Sequence, residues 1–159
     1  METPSCYLEF NFPNDTIFND LKAVFDKFKD ARDNDSELND QYWLETFPEY
    51  AASQFWFLDT DIKPLNTTVV KTENSWHFYS LVELLYKNYE VDFVGLRVLS
   101  PNIGILEYDP YSYPYGGTDG FIAFLKSFTC IATIVDDGTG LYKVEFNDNG
   151  SYSFADLAV

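Results

Sequence analysis

Within its first 28 residues the chain changes hydrophobic period, and that change constrains the fold more than any other feature. Cys6, Leu8, Phe10 and Phe12 alternate with Tyr7, Glu9 and Asn11, the period of two that turns one face of a strand toward a core. After Pro13 and a cap at Asn14 to Thr16, the apolar residues Ile17, Leu21, Val24, Phe25 and Phe28 recur at helical spacing, with mixed-sign charges between them. A half-buried strand followed at once by an amphipathic helix has to lay the two apolar faces together, which predicts a helix packed on a sheet.

The rest of the chain extends this pattern. A second helix is predicted from near Ser36 to just before Pro48, a short aromatic strand over Gln54–Leu58, and a β-branched strand over Thr67–Thr72. Ser75 is placed to cap a helix running to about Tyr89, with Phe78, Leu81, Val82 and Leu85 on one face. Val91–Leu99 and Ile103–Tyr108 form a hairpin across Ser100, Pro101 and Asn102, and Thr118–Phe128 is a further helix. Ile131–Val135 and Leu141–Asn147 flank Asp136-Asp-Gly-Thr-Gly140, a hairpin signal, and Ser151–Phe154 extends that sheet. Strands in antiparallel pairs interspersed with helices give an α+β fold, a mostly antiparallel sheet built from hairpins with three or four helices packed on it. No internal repeat and no Pro/Gly/Ser linker divides the chain, so residues 1–159 read as a single globular domain.

Charge separates the possible functions. The formal net charge is −16 although hydrophobic residues make up 46% of the chain, so acidity here belongs to a folded protein rather than to a disordered tail. Residues 33 to 62 hold eight acids and no Lys or Arg, whereas residues 63 to 101 hold four of each. A block of like charge destabilises the compact state by self-repulsion while accelerating encounter with a partner of opposite sign. Solubility is one reason to keep it, and recognition of a basic protein is the other. Direct nucleic-acid binding is disfavoured, because phosphate contacts need clustered Lys and Arg. The expected partner-binding residues are Asp33, Asp35, Glu37, Asp40 and Glu45, with Tyr42, Trp43, Phe47, Tyr50, Phe55 and Trp56 as aromatic anchors around the acids and Tyr111, Tyr113 and Tyr115 further along the chain. In size and charge the chain is similar to acidic immunity proteins and nucleic-acid mimics, though it shares no motif with them. The leading expectation is therefore a non-enzymatic binding module, an inhibitor or immunity-type protein that docks a basic nucleic-acid-binding partner.

A second candidate site lies in the loop from Asp109 to Gly120, where Tyr111, Tyr113 and Tyr115 stand among two prolines and three glycines. Tyrosines of this kind serve binding loops as rigid amphipathic faces, and they also serve as cover for a core edge. The alternative function is accordingly a small-ligand protein or enzyme with its site in that loop.

Catalytic and cofactor signatures are missing from the sequence. There is no GxGxxG, GKS or GKT phosphate cradle and no GxSxG nucleophile elbow. Residues 33–44 open like a calcium loop but carry Leu38 where glycine is required and Leu44 where the bidentate glutamate belongs. His77 is the one histidine, which excludes His-rich metal sites; it is expected on the surface or at the start of its helix. Cys6 and Cys130 have no CxxC or CxxH context and read as reduced, buried thiols. No run is long enough to span a bilayer and no leader precedes the first strand, so the expected location is cytoplasmic, with no cofactor and no metal.

Overall fold

The computed structural model describes residues 6–87, 92–109, 118–149 and 151–157. In chain order it forms β1 (Cys6–Asn11), α1 (Asp15–Asp33), α2 (Asp40–Thr46), α3 (Glu49–Ala52), α4 (Phe78–Lys87), β2 (Asp92–Ser100), β3 (Ile103–Asp109), α5 (Thr118–Ser127), β4 (Ile131–Asp136), β5 (Leu141–Phe146) and β6 (Tyr152–Asp156). The six strands make one sheet in the order β2-β3-β1-β4-β5-β6, with every neighbouring pair antiparallel. The fold is α+β, as the two periodicities require.

β1 lies inside the sheet because the hairpin β2–β3 adds to one side of it and the meander β4–β5–β6 to the other. Its alternation is realised residue by residue: Cys6, Leu8 and Phe10 are fully buried on the helical side, while Tyr7 and Glu9 between them are half-buried. Phe10 faces Gly104 across the β1–β3 ladder, and a Cβ on Gly104 would stand 2.4 Å from the Phe10 ring. That glycine is the space the ring occupies. Asn102, in the left-handed region at φ 63°, turns β2 into β3 and hydrogen-bonds the Phe12 carbonyl, fastening the hairpin to the end of β1.

α1 begins where the Asn14 side chain accepts the Ile17 N–H at 2.9 Å, and it buries Phe18, Leu21, Val24, Phe25, Phe28 and Ala31. It ends in a Schellman turn: the Asp35 N–H donates to Arg32, the Ser36 N–H donates to Ala31, and Asp35 takes the left-handed φ of 49°. α2 is capped by Asn39, which accepts the Tyr42 N–H, rather than starting near Ser36. Residues 34–39 are therefore a non-helical link between α1 and α2.

Two predicted strands do not form. Gln54–Leu58 contributes a single parallel bridge, Trp56 to His77, after the short helix α3 that the sequence reading missed. Thr67–Thr72 is irregular, with Val70 73% exposed. β-branched residues favour strands only where a pleated, half-buried surface awaits them, and neither segment reaches the sheet. Ser75 likewise braces its own loop, accepting the Thr72 N–H at 2.7 Å, while α4 starts after His77.

Candidate functional site

The expected site residues divide into a surface group and a core residue. Asp33 closes α1 and pairs with Lys29 at 3.0 Å; Asp35 is the left-handed residue of the Schellman turn; Glu37 follows in the link; Asp40 opens α2; Glu45 sits late in α2 and accepts from Gln41 at 2.7 Å. All five are exposed. Among the described residues, Asp35, Glu37, Asp40 and Glu45 have no Lys or Arg partner, so their charge acts outward.

Trp43 is a correction. It is 1% exposed, stacked on Phe28 with ring centroids 4.4 Å apart, and so belongs to the core rather than to a docking surface. Phe47 and Phe55, expected beside it as anchors, are buried too, and Tyr42, Tyr50 and Trp56 are half-buried. The apolar groups that do reach the surface here are aliphatic: Leu58 at 51%, Ile62 at 48% and Leu65 at 97% exposure. Ile62 and Leu65 each stand alone in a polar stretch, and Leu58 ends an aromatic run expected to form a strand, so none of the three signalled a surface, whereas the aromatics came in clusters. The cluster itself was the signal of a core.

α2 runs between two depressions. On one side a cavity of about 210 Å³ lies against α4, bordered by Asp40, Glu83, His77, Ser80, Tyr79 and Tyr86. On the other a cavity of about 300 Å³ is bordered by Glu45, Glu49, Leu44, Lys63 and Leu65. Each is rimmed by two carboxylates, so a partner covering α2 meets acids on both flanks.

The polar cluster at the first cavity is held by His77. Its Nε2 is 2.6 Å from an Asp61 carboxylate oxygen, its Nδ1 is 2.9 Å from the Ser80 hydroxyl, and its ring packs on Trp56 at 4.6 Å. The same Asp61 oxygen accepts the Leu58 N–H at 2.8 Å. Burial alone would raise the Asp61 pKa, but the hydrogen bonds from His77 and Leu58, together with the nearby charges of His77 and Lys63, outweigh it and hold the carboxyl below its ordinary value. The order serine–imidazole–carboxylate is that of an activated nucleophile. Here, however, Asp40 and Glu83 border the cavity that Ser80 faces, and they would oppose the negative charge that acyl transfer builds on a substrate oxygen. The cluster acts as a fastening between the 56–62 segment and α4.

Tyr111, Tyr113 and Tyr115 lie outside the described residues, as does most of the alternative loop site. The loop's ends are tied down: the buried Tyr108 hydroxyl hydrogen-bonds Thr118, and the Tyr152 hydroxyl donates to Asp119. Burial and that carboxylate push the Tyr152 pKa far up. Both cysteines are buried and neither is in a disulfide, and burial pushes the Cys130 thiol up to about 12, so it supplies no thiolate. Among the described residues no three His, Cys, Asp or Glu side chains converge as a metal site, and no helix is long and apolar enough to cross a membrane. Compared with protein-family models, curated proteins and solved structures, the chain has no match.

Proposed function

We propose that the protein is a non-enzymatic binding module whose acidic face, from the end of α1 through the 34–39 link and α2, docks a basic protein. The observation that carries this reading is the set of exposed carboxylates at Asp35, Glu37, Asp40 and Glu45 that no Lys or Arg of the described chain neutralises. Exposed Leu65 borders the same depression as Glu45 and gives the surface apolar area to bury, so that charge sets the encounter and aliphatic contact holds the complex. A partner that itself binds nucleic acid carries the complementary basic surface, and an inhibitor of such a protein fits this face. Two buried thiols, neither in a disulfide, support a reducing, cytoplasmic setting.

Capture from the native lysate tests the reading, with wild type compared against Asp33→Asn, Asp35→Asn, Glu37→Gln, Asp40→Asn combined. Asn tolerates the left-handed turn at position 35, so the variant removes charge without straining the backbone. A basic protein held by wild type at low salt, and lost both with the variant and at high salt, supports the proposal. Identical capture by both chains under both conditions sinks it.

A further inference from the structure

A third cavity, of about 230 Å³, lies away from the acidic face, between the Gln54–Phe55 turn, the 69–76 loop, the last turn of α5 and Asn149 before β6. Its lining is unusual for this molecule. Among the described residues no acid borders it, and its one charged residue there is Lys126, which has no described carboxylate partner.

Hydrogen bonds brace parts of the walls. The Ser75 hydroxyl accepts the Thr72 N–H at 2.7 Å, the Asn74 amide reaches the Asn149 carbonyl at 3.5 Å across the rim, and the Ser127 hydroxyl donates to Phe124 at 2.7 Å. Gln54, Thr72 and Asn74 offer neutral hydrogen-bonding groups, and Trp76 offers a half-buried aromatic surface. One cation, several neutral donors and acceptors, and one aromatic ring in a volume below that of a drug-sized pocket call for a ligand with one negative charge, several hydroxyls and an apolar C–H face.

We propose that this cavity binds a free, monosaccharide-sized hydroxylated carboxylic acid of the uronic-acid class. Its carboxylate meets Lys126, its hydroxyls meet Gln54, Thr72 and Asn74, and its ring face lies on Trp76. This does not depend on the acidic face, and either site can fail without the other.

The test is an amide NMR titration of the full chain with sodium glucuronate, with glucose and sodium acetate as comparison probes. The expected result is saturable shifts confined to the Asn74 and Asn149 amides and the Trp76 indole. Glucose and acetate should each bind at least about tenfold more weakly, because each supplies half of the recognised chemistry. Lys126→Met should weaken glucuronate by about tenfold and Lys126→Arg should restore most of it. No saturable shift with glucuronate, equal binding of glucose, or unchanged glucuronate binding by Lys126→Met would each overturn the proposal.

Discussion

Trp43 separates a docking anchor from a core residue, and its replacement has a magnitude the structure sets. The side chain is 1% exposed and touches three aromatic neighbours: Phe28 stacked at 4.4 Å, Tyr42 edge-on at 5.1 Å and Tyr86 tilted at 5.2 Å. Truncating so large a buried ring to alanine costs about 3–5 kcal/mol, and in a domain of this length each kcal/mol lowers Tm by about 2–4 °C. Trp43→Phe behaves differently. The indole Nε1 is buried without a hydrogen-bond partner among the described residues, and an unsatisfied donor of that kind costs about 1–3 kcal/mol. Phenylalanine removes that burden while leaving a smaller void, so the net loss should be about 1 kcal/mol or less. Urea unfolding followed by far-UV circular dichroism measures both variants without depending on the ring being replaced. A loss below about 1 kcal/mol for Trp43→Ala, or equal losses for the two variants, would refute the reasoning.

Three further outcomes follow from local geometry. Thr129 sits at φ 60° in the Schellman turn after α5, where a β-branched residue is strained by about 1–2 kcal/mol; glycine there loses some of that gain to unfolded-chain entropy, so Thr129→Gly should raise stability by about 0.5–1 kcal/mol in the same urea assay. Because the folded Asp61 pKa is depressed, its contribution is complete above the unfolded value of about 3.9 and is lost as pH falls through the folded value. Asp61→Asn should therefore be less stable than wild type by about 1 kcal/mol at neutral pH, and the gap should close in acid; a gap constant with pH contradicts the assignment. With Cys6 and Cys130 both buried and the Cys130 thiol held at about 12, iodoacetamide should label neither in the native protein and both in urea, read by intact mass.

Where a segment had a place on the sheet, its sequence was legible. Cys6 to Phe28 showed its strand and helix because the apolar residues that set the two periods, Cys6, Leu8, Phe10 and Phe12 and then Ile17, Leu21, Val24, Phe25 and Phe28, all pack in or against the core, and Asp136 to Gly140 showed its hairpin because local side-chain bonds make the turn: Asp136 accepts the Gly138 N–H and Asp137 the Thr139 N–H. Val69 and Val70 misled because propensity reports a preference for a pleated surface, and the six-stranded sheet closes its order without them. The acidic residues of the site were readable because charge density is a property of the chain itself. Which aromatics among them were surface anchors was not, since burial of Trp43 depends on Phe28 and Tyr86, 15 and 43 residues distant. The Asp61–His77–Ser80 cluster was hidden for the same reason, its carboxylate arriving from a loop 16 residues before the histidine.

The central claim is that the exposed acids around α2 steer a basic partner, and the association rate with a captured partner tests it most directly. Measured by stopped flow from about 20 to 500 mM salt, the wild-type rate should fall steeply, and the combined Asp33→Asn, Asp35→Asn, Glu37→Gln, Asp40→Asn chain should associate about tenfold or more slowly at the low-salt end with a flatter slope. Equal rates and equal slopes for the two chains would contradict the account.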